Sequence, residues 1–184
     1  MKIQRIEPER RHWKSRMMQL VILTGASGSG KTTIANRIAL RSARDIEVHS
    51  FDSAGVPPYA QMIAEHGSAE RWQRMTTFQW FARLAALREK QSRILFEGQM
   101  RPSVVAEAAK AQGIDEYSLI LLDCDEATRS RRLRLGRGQP DLDNPTMANW
   151  ARYLRSEARE GGYEIIDTSN LPLAACVQRV LAYF

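Results

Sequence analysis

The eight residues Gly25-Ala26-Ser27-Gly28-Ser29-Gly30-Lys31-Thr32 constrain this chain more than any other stretch, because they fit the pattern G-x-x-x-x-G-K-[ST] at every fixed position. The flanks carry the same message. Leu20-Val21-Ile22-Leu23 is a short apolar run rich in β-branched residues, as expected of a buried strand. After the motif, Ile34 and Ile38, with Ala35 and Ala39, repeat at helical spacing. Strand, glycine loop and helix in this order let successive backbone N–H groups turn inward on a phosphate at the positive end of a helix. Lys31 is then expected to reach the β- and γ-phosphates, and the Thr32 hydroxyl to join a magnesium shell. The expected ligands are ATP and Mg2+, held by Gly25 to Thr32 together with Thr33.

The rest of the chain reads as one α/β domain. Its 184 residues suffice for a core without staples. Cys124 and Cys176 lie in apolar runs and form no C-x-x-C pair, so both read as small buried hydrophobes in a reducing compartment. No run has the length of a membrane span, and the basic N-terminus lacks an apolar signal core, so a cytoplasmic protein without membrane contact is expected. The formal net charge is +6, but residues 1–16 hold six basic and two acidic side chains. Residues 1–17 are therefore expected to be a basic extension of a domain spanning 18–184. The +2 that remains outside the arm argues against a nucleic-acid partner.

Further strands are expected at Ile46–Phe51, Arg93–Phe96, Leu119–Leu122 and Tyr163–Ile166. Pro57-Pro58 opens a short helix that Gly67 stops, and Ser68 caps a long one to about Lys90 that carries Trp72, Met75, Phe78, Phe81, Leu84 and Leu87 inward. Other helices run from Pro102 to Gly113, from Asp125 to about Leu135, from Asn144-Pro145 to Arg159 and from Leu173 to Leu181. Alternating strands and helices imply a five-stranded parallel sheet covered on both faces, a three-layer α/β/α arrangement. Ligands in such sheets bind at the carboxyl ends of strands, and every such end here is polar: the glycine loop, Asp52, Glu97-Gly98, Asp123 and Asp167-Thr168.

This combination resembles the small P-loop kinases, the group of adenylate, shikimate and gluconate kinases, chloramphenicol phosphotransferase and zeta toxins. The resemblance covers roughly residues 18–184 and implies transfer of the γ-phosphate of ATP to a small-molecule acceptor. Asp52 stands where members that phosphorylate a hydroxyl keep an acidic residue, which implies a base; the alternative is a cap of the turn Asp52-Ser53-Ala54-Gly55. Glu97-Gly98-Gln99-Met100-Arg101 is similar to the D-G-x-P-R segment of adenylate kinases, with Glu for Asp and Met for Pro. By that likeness Glu97 serves magnesium, Gly98 admits a close approach, and Arg101 either grips the acceptor or caps the next helix. Asp123, after a longer apolar run, competes with Glu97 for the metal side and is read as structural.

Arg129, Arg131, Arg132, Arg134 and Arg137 crowd a helix and short lid, about 129–142. Family kinases carry phosphate-neutralising arginines here, which selects Arg132 and Arg137, with Arg134 as the alternative for Arg132 in register. The loop Asp167–Pro172 stands where the group meets the nucleotide base, which selects Asn170. Of Tyr59, Trp72 and Trp80, one at most is assigned to substrate; His12, His49 and His66 receive no role. The leading function is phosphorylation of a small-molecule hydroxyl with Asp52 as base. The alternatives are a nucleoside monophosphate kinase, which needs no base, and a P-loop ATPase working on a protein partner.

Overall fold

A computed structural model describes residues 18–42, 45–88, 90 and 93–184. The basic N-terminal extension lies outside the described residues. Five strands, β1 (Gln19–Thr24), β2 (Glu47–Ser50), β3 (Arg93–Glu97), β4 (Ser118–Asp123) and β5 (Glu164–Asp167), form one sheet in the order β2-β3-β1-β4-β5. All four pairings are parallel. The central strand β1 is covered on both sides and is apolar through its middle, with Leu20 to Leu23 all buried.

Seven α-helices clothe the sheet: α1 (Lys31–Ser42), α2 (Tyr59–His66), α3 (Ala69–Leu87), α4 (Pro102–Ala111), α5 (Glu126–Arg131), α6 (Pro145–Glu160) and α7 (Leu173–Leu181). Alternate β1 residues divide between two cores. Leu20 and Ile22 join Phe81, Leu84 and Val105 of α3 and α4, whereas Val21 and Leu23 join Ile34, Ile38, Val177 and Val180 of α1 and α7. The three layers expected from the sequence are present. Among the described residues, no helix is long and apolar enough to cross a membrane.

Local signals behave as expected at the helix ends. The Ser68 side chain accepts from the Arg71 backbone N–H, Asp125 from that of Thr128 and Asn144 from that of Met147, each satisfying a donor that a helix start leaves unpaired. Two expectations are corrected. On α3 the inward stripe is Thr77, Trp80, Phe81 and Leu84, while Met75 is exposed and Trp72, Phe78 and Leu87 are only partly covered. With this face inward, the Trp80 indole N–H donates to the Phe51 carbonyl at 3.2 Å, just past the end of β2. The helix expected from Asp125 to Leu135 is α-helical only to Arg131; Arg132–Gly136 form a π-turn, closed by the Arg137 N–H on the Arg132 carbonyl at 3.0 Å.

Candidate active site

The glycine loop sits at the carboxyl end of β1, between the ends of β3 and β4. Its first residue has no room for a side chain. A Cβ on Gly25, whose φ is +149°, would lie 2.2 Å from the Leu122 carbonyl oxygen of β4. The loop closes on itself through Lys31 Nζ, which donates to the Ala26 carbonyl at 3.2 Å. Ser29 Oγ is buried without a hydrogen-bond partner among the described residues.

Lys31 is buried, and burial pulls its pKa from the ordinary 10.5 to about 8. Glu97 and Asp52 oppose that shift, and Arg137 adds to it. A cation is thus held with incomplete compensation, a state that an incoming polyanion relieves.

Two cavities open beside the loop. The first, about 390 Å³, is lined by Gly28 to Ile34, Asn36, Arg132, Gly136, Arg137, Thr168, Leu171, Leu173 and Cys176. Arg132 is fixed within it: one guanidinium nitrogen donates to the Gly28 carbonyl at 3.2 Å and to Thr168 Oγ1 at 2.9 Å, the other to the Thr168 carbonyl at 2.7 Å. Thr168 in turn donates its hydroxyl toward the Ser29 carbonyl at 3.0 Å. The end of β5, the glycine loop and the π-turn are tied together by this one pair of side chains. Asn170 is exposed and does not line the cavity; Thr168 and Leu171 hold the position expected of it. The reason is local, because the Asp167 carboxylate binds the backbone and hydroxyl of Ser169 and closes a tight turn before Asn170.

The second cavity, about 440 Å³, lies on the β2–β3 side. Asp52, Gly98 and Glu97 all line it, with Ser27, Phe51, Met62, Trp72, Gln73 and Gln99, and with Gln139 and Leu142 from the lid. Asp52 follows β2 in a 3-10 turn, Phe51–Ala54. The turn is held by the Gly55 N–H on the Asp52 carbonyl and by Ser53 Oγ on the Ser50 carbonyl. Among the described residues the Asp52 carboxylate makes no hydrogen bond, so it does not cap this turn. A Cβ on Gly98 would fall 2.3 Å from Phe51 Cβ, so the close approach that the sequence suggested is made by one cavity wall to the other. Of the three aromatic candidates, Trp72 lines the cavity, Trp80 is in the core and Tyr59 is exposed.

Glu97 faces the helix start. Thr32 Oγ1 is 3.4 Å from both of its carboxylate oxygens, and Ser50 Oγ donates to Oε1 at 2.7 Å. Ser50 is opposite Glu97 in the β2–β3 register. The sequence reading missed Ser50, although its place just before Phe51-Asp52, at a polar strand end, was a usable signal. Asp123 takes a different role: it pairs with Arg155 of α6 and accepts from the Cys124 N–H at 2.9 Å. A hydroxyl and a carboxylate beside the loop are hard oxygen donors, which suit magnesium shared with phosphate and water. Asp123, already paired, is less suited.

Three other arginines are engaged elsewhere. Arg129 is buried beneath Gly28, with a guanidinium nitrogen 3.5 Å from the Cys124 carbonyl. Arg134 pairs with Asp143 at 2.5 Å. Arg101 lies outside both cavity walls: it pairs with Glu70 and its guanidinium sits over the rings of Trp150 and Tyr153, 5.4 and 5.2 Å from their centroids. Arg101, expected either to grip the acceptor or to cap the next helix, makes no side-chain cap of α4. Lys31, Thr32 and Arg137 line both cavities.

The profile of the family described as AAA domain matches residues 21–160. No curated protein matches the chain. Solved structures with the same fold include the tunicamycin resistance protein of Deinococcus radiodurans, at TM-score 0.65 and 18% identity over 90% of this chain and 94% of that one. Shikimate kinase from Acinetobacter baumannii in complex with shikimate has TM-score 0.60 and 17% identity over 89% and 91%. Thymidylate kinase from Candida albicans has TM-score 0.60 and 13% identity over 90% of each chain. The fold is that of a small P-loop kinase.

Proposed function

We propose that this chain, which belongs to the AAA domain family of P-loop proteins, is a kinase that moves the γ-phosphate of ATP to a hydroxyl of a small molecule. The observation that carries the reading is the meeting of two cavities at Lys31, Thr32 and Arg137. A nucleotide in the first cavity lays its terminal phosphate against these residues, and a molecule in the second approaches the same point from the opposite side.

The roles follow from position. The loop amides and Lys31 hold the β- and γ-phosphates, and Arg137 of the lid, about 129–142, meets the charge that develops on the transferring group. Arg132 and Thr168 keep the loop and the nucleotide wall in register. Thr32 and Glu97, steadied by Ser50, would hold magnesium, which neutralises phosphate charge when bound. Asp52 orients the acceptor hydroxyl and takes its proton on a carboxylate oxygen. Its lack of other hydrogen bonds supports this role.

A second reading, for which the name of the thymidylate kinase is a precedent, is a nucleotide acceptor, for which no base is needed. Asp52→Asn and Arg101→Ala separate the two. On a hydroxyl acceptor, Asp52→Asn is expected to lower kcat by roughly 10²–10⁴-fold with ATP affinity nearly unchanged. Arg101→Ala should then change little. A near-normal kcat for Asp52→Asn, with Arg101→Ala raising the acceptor KM, would overturn the hydroxyl reading in favour of a monophosphate acceptor.

A further inference from the structure

The wall of the second cavity has an uneven charge. Its only cations among the described residues are Lys31 and Arg137, and both also face the nucleotide cavity. Away from that junction the wall offers the carboxylates of Asp52 and Glu97, the amides of Gln73, Gln99 and Gln139, and apolar groups. Arg101, two residues after Gln99, is drawn off to Glu70 and the α6 aromatics, and Arg74, next to Gln73, pairs with Glu107. With Glu97 turned to Thr32 and Ser50 on the metal side, a carboxylate or phosphate on the acceptor would therefore leave water for a wall that holds the Asp52 carboxylate and no spare cation, an unfavourable transfer.

The remaining chemistry favours a neutral ring. Trp72 stands edge-on to Phe51, centroids 5.8 Å apart at 90°, which fixes an aromatic platform in the wall. Gln73 Nε2 donates to the Gln99 carbonyl at 2.7 Å, and Gln99 Oε1 accepts from Ser27 Oγ at 3.2 Å. Those bonds leave Gln73 Oε1 as an acceptor and Gln99 Nε2 as a donor, neither partnered among the described residues. Uncharged donors and acceptors beside an aromatic face match a ring-bearing alcohol.

We infer that the acceptor is an uncharged, ring-bearing hydroxyl compound, with no carboxylate or phosphate of its own. The inference rests on the reading of the second cavity as the acceptor site. Specificity here comes from what the wall withholds as much as from what it offers.

Matched pairs that differ in one charge test it: thymidine against thymidylate, and methyl shikimate against shikimate. Calorimetric titration of the full chain, saturated with magnesium and a non-hydrolysable ATP analogue, is expected to give the neutral member a Kd at least about 10-fold lower in each pair that binds. Equal or tighter binding of the anionic member would overturn the inference. Gln73→Arg places a cation in the wall and is expected to swing the ratio toward the anion by a further factor of about 10; an unchanged ratio would also contradict it. The kinase reading is tested separately by transfer from labelled ATP. Preferential binding of the neutral members without transfer would support the neutral site and contradict the kinase. A higher kcat/KM on the anionic members would keep the kinase and overturn the neutral site.

Discussion

The two cavities that meet at Lys31 are made in opposite ways. The nucleotide side is built mainly from one continuous stretch, Gly28 to Ile34, and from backbone groups whose directions are set by glycine and by a helix start. The second cavity is assembled from side chains of the turn after β2, α2, α3, the end of β3 and the lid, residues up to about a hundred positions apart. A wall made of contiguous backbone tolerates few substitutions and announces itself as a motif. A wall made of scattered side chains can be changed one residue at a time while the fold stays intact. Under the kinase we propose, one half of the site therefore fixes what is transferred, and the other half is free to decide to what.

The largest effect that would break this division is expected at Lys31. Lys31→Ala should lower phosphate transfer by on the order of 10³-fold or more, because a preorganised cation at the transferring group is lost. Steady-state rates with near-wild-type turnover would mean that the phosphate chemistry of the loop is not in use. The acceptor half is probed next by Gly98→Ala. Its Cβ would overlap Phe51 Cβ at 2.3 Å, and overpacking of this kind costs about 1–3 kcal/mol. Thermal unfolding should show the loss, and the acceptor KM should rise more than the ATP KM, since the displaced Phe51 lines only the second cavity. Equal changes in both KM values would show that the two sides are not separable.

The smallest effect concerns protons. Lys31 has a folded pKa near 8 against 10.5, so below pH 8 the nucleotide-free protein holds a buried charge at a cost on the order of 3 kcal/mol. Between pH 8 and 10.5 the unfolded chain binds the proton that the folded chain has released, so this contribution makes stability rise with pH. Phosphate beside Lys31 favours its charged form. ATP binding near pH 8 should therefore take up a fraction of a proton, and affinity should fall as pH rises through 8. Calorimetry in buffers of different ionisation enthalpy measures the uptake. None at pH 8, in both wild type and Lys31→Met, would mean that Lys31 does not meet the phosphates.

The same contrast explains what the sequence disclosed. The glycine loop, the five strands, the Ser68 cap and the helix starts at Asp125 and Asn144 were legible because each is a local pattern whose physics is complete within a few residues. Gly98 and Asp52, singled out because strand ends in such sheets face the crevice, line the second cavity. Arg101 lines neither cavity, because its partners, Glu70, Trp150 and Tyr153, come from two other helices. Asn170 was chosen one turn too late, since the Asp167–Ser169 bond that shapes its loop leaves no mark in periodicity. Thr168, Ser50 and the glutamines of the acceptor wall matter through tertiary contacts alone.

The account stands most directly on the fate of the γ-phosphate. With ATP labelled at that position and a mixture of uncharged hydroxyl compounds, the label is expected on an acceptor, in a stable ester, at a rate that depends on both Lys31 and Asp52. Label released only as inorganic phosphate, at the same rate with and without acceptors, would contradict the proposal that the two cavities serve one transfer.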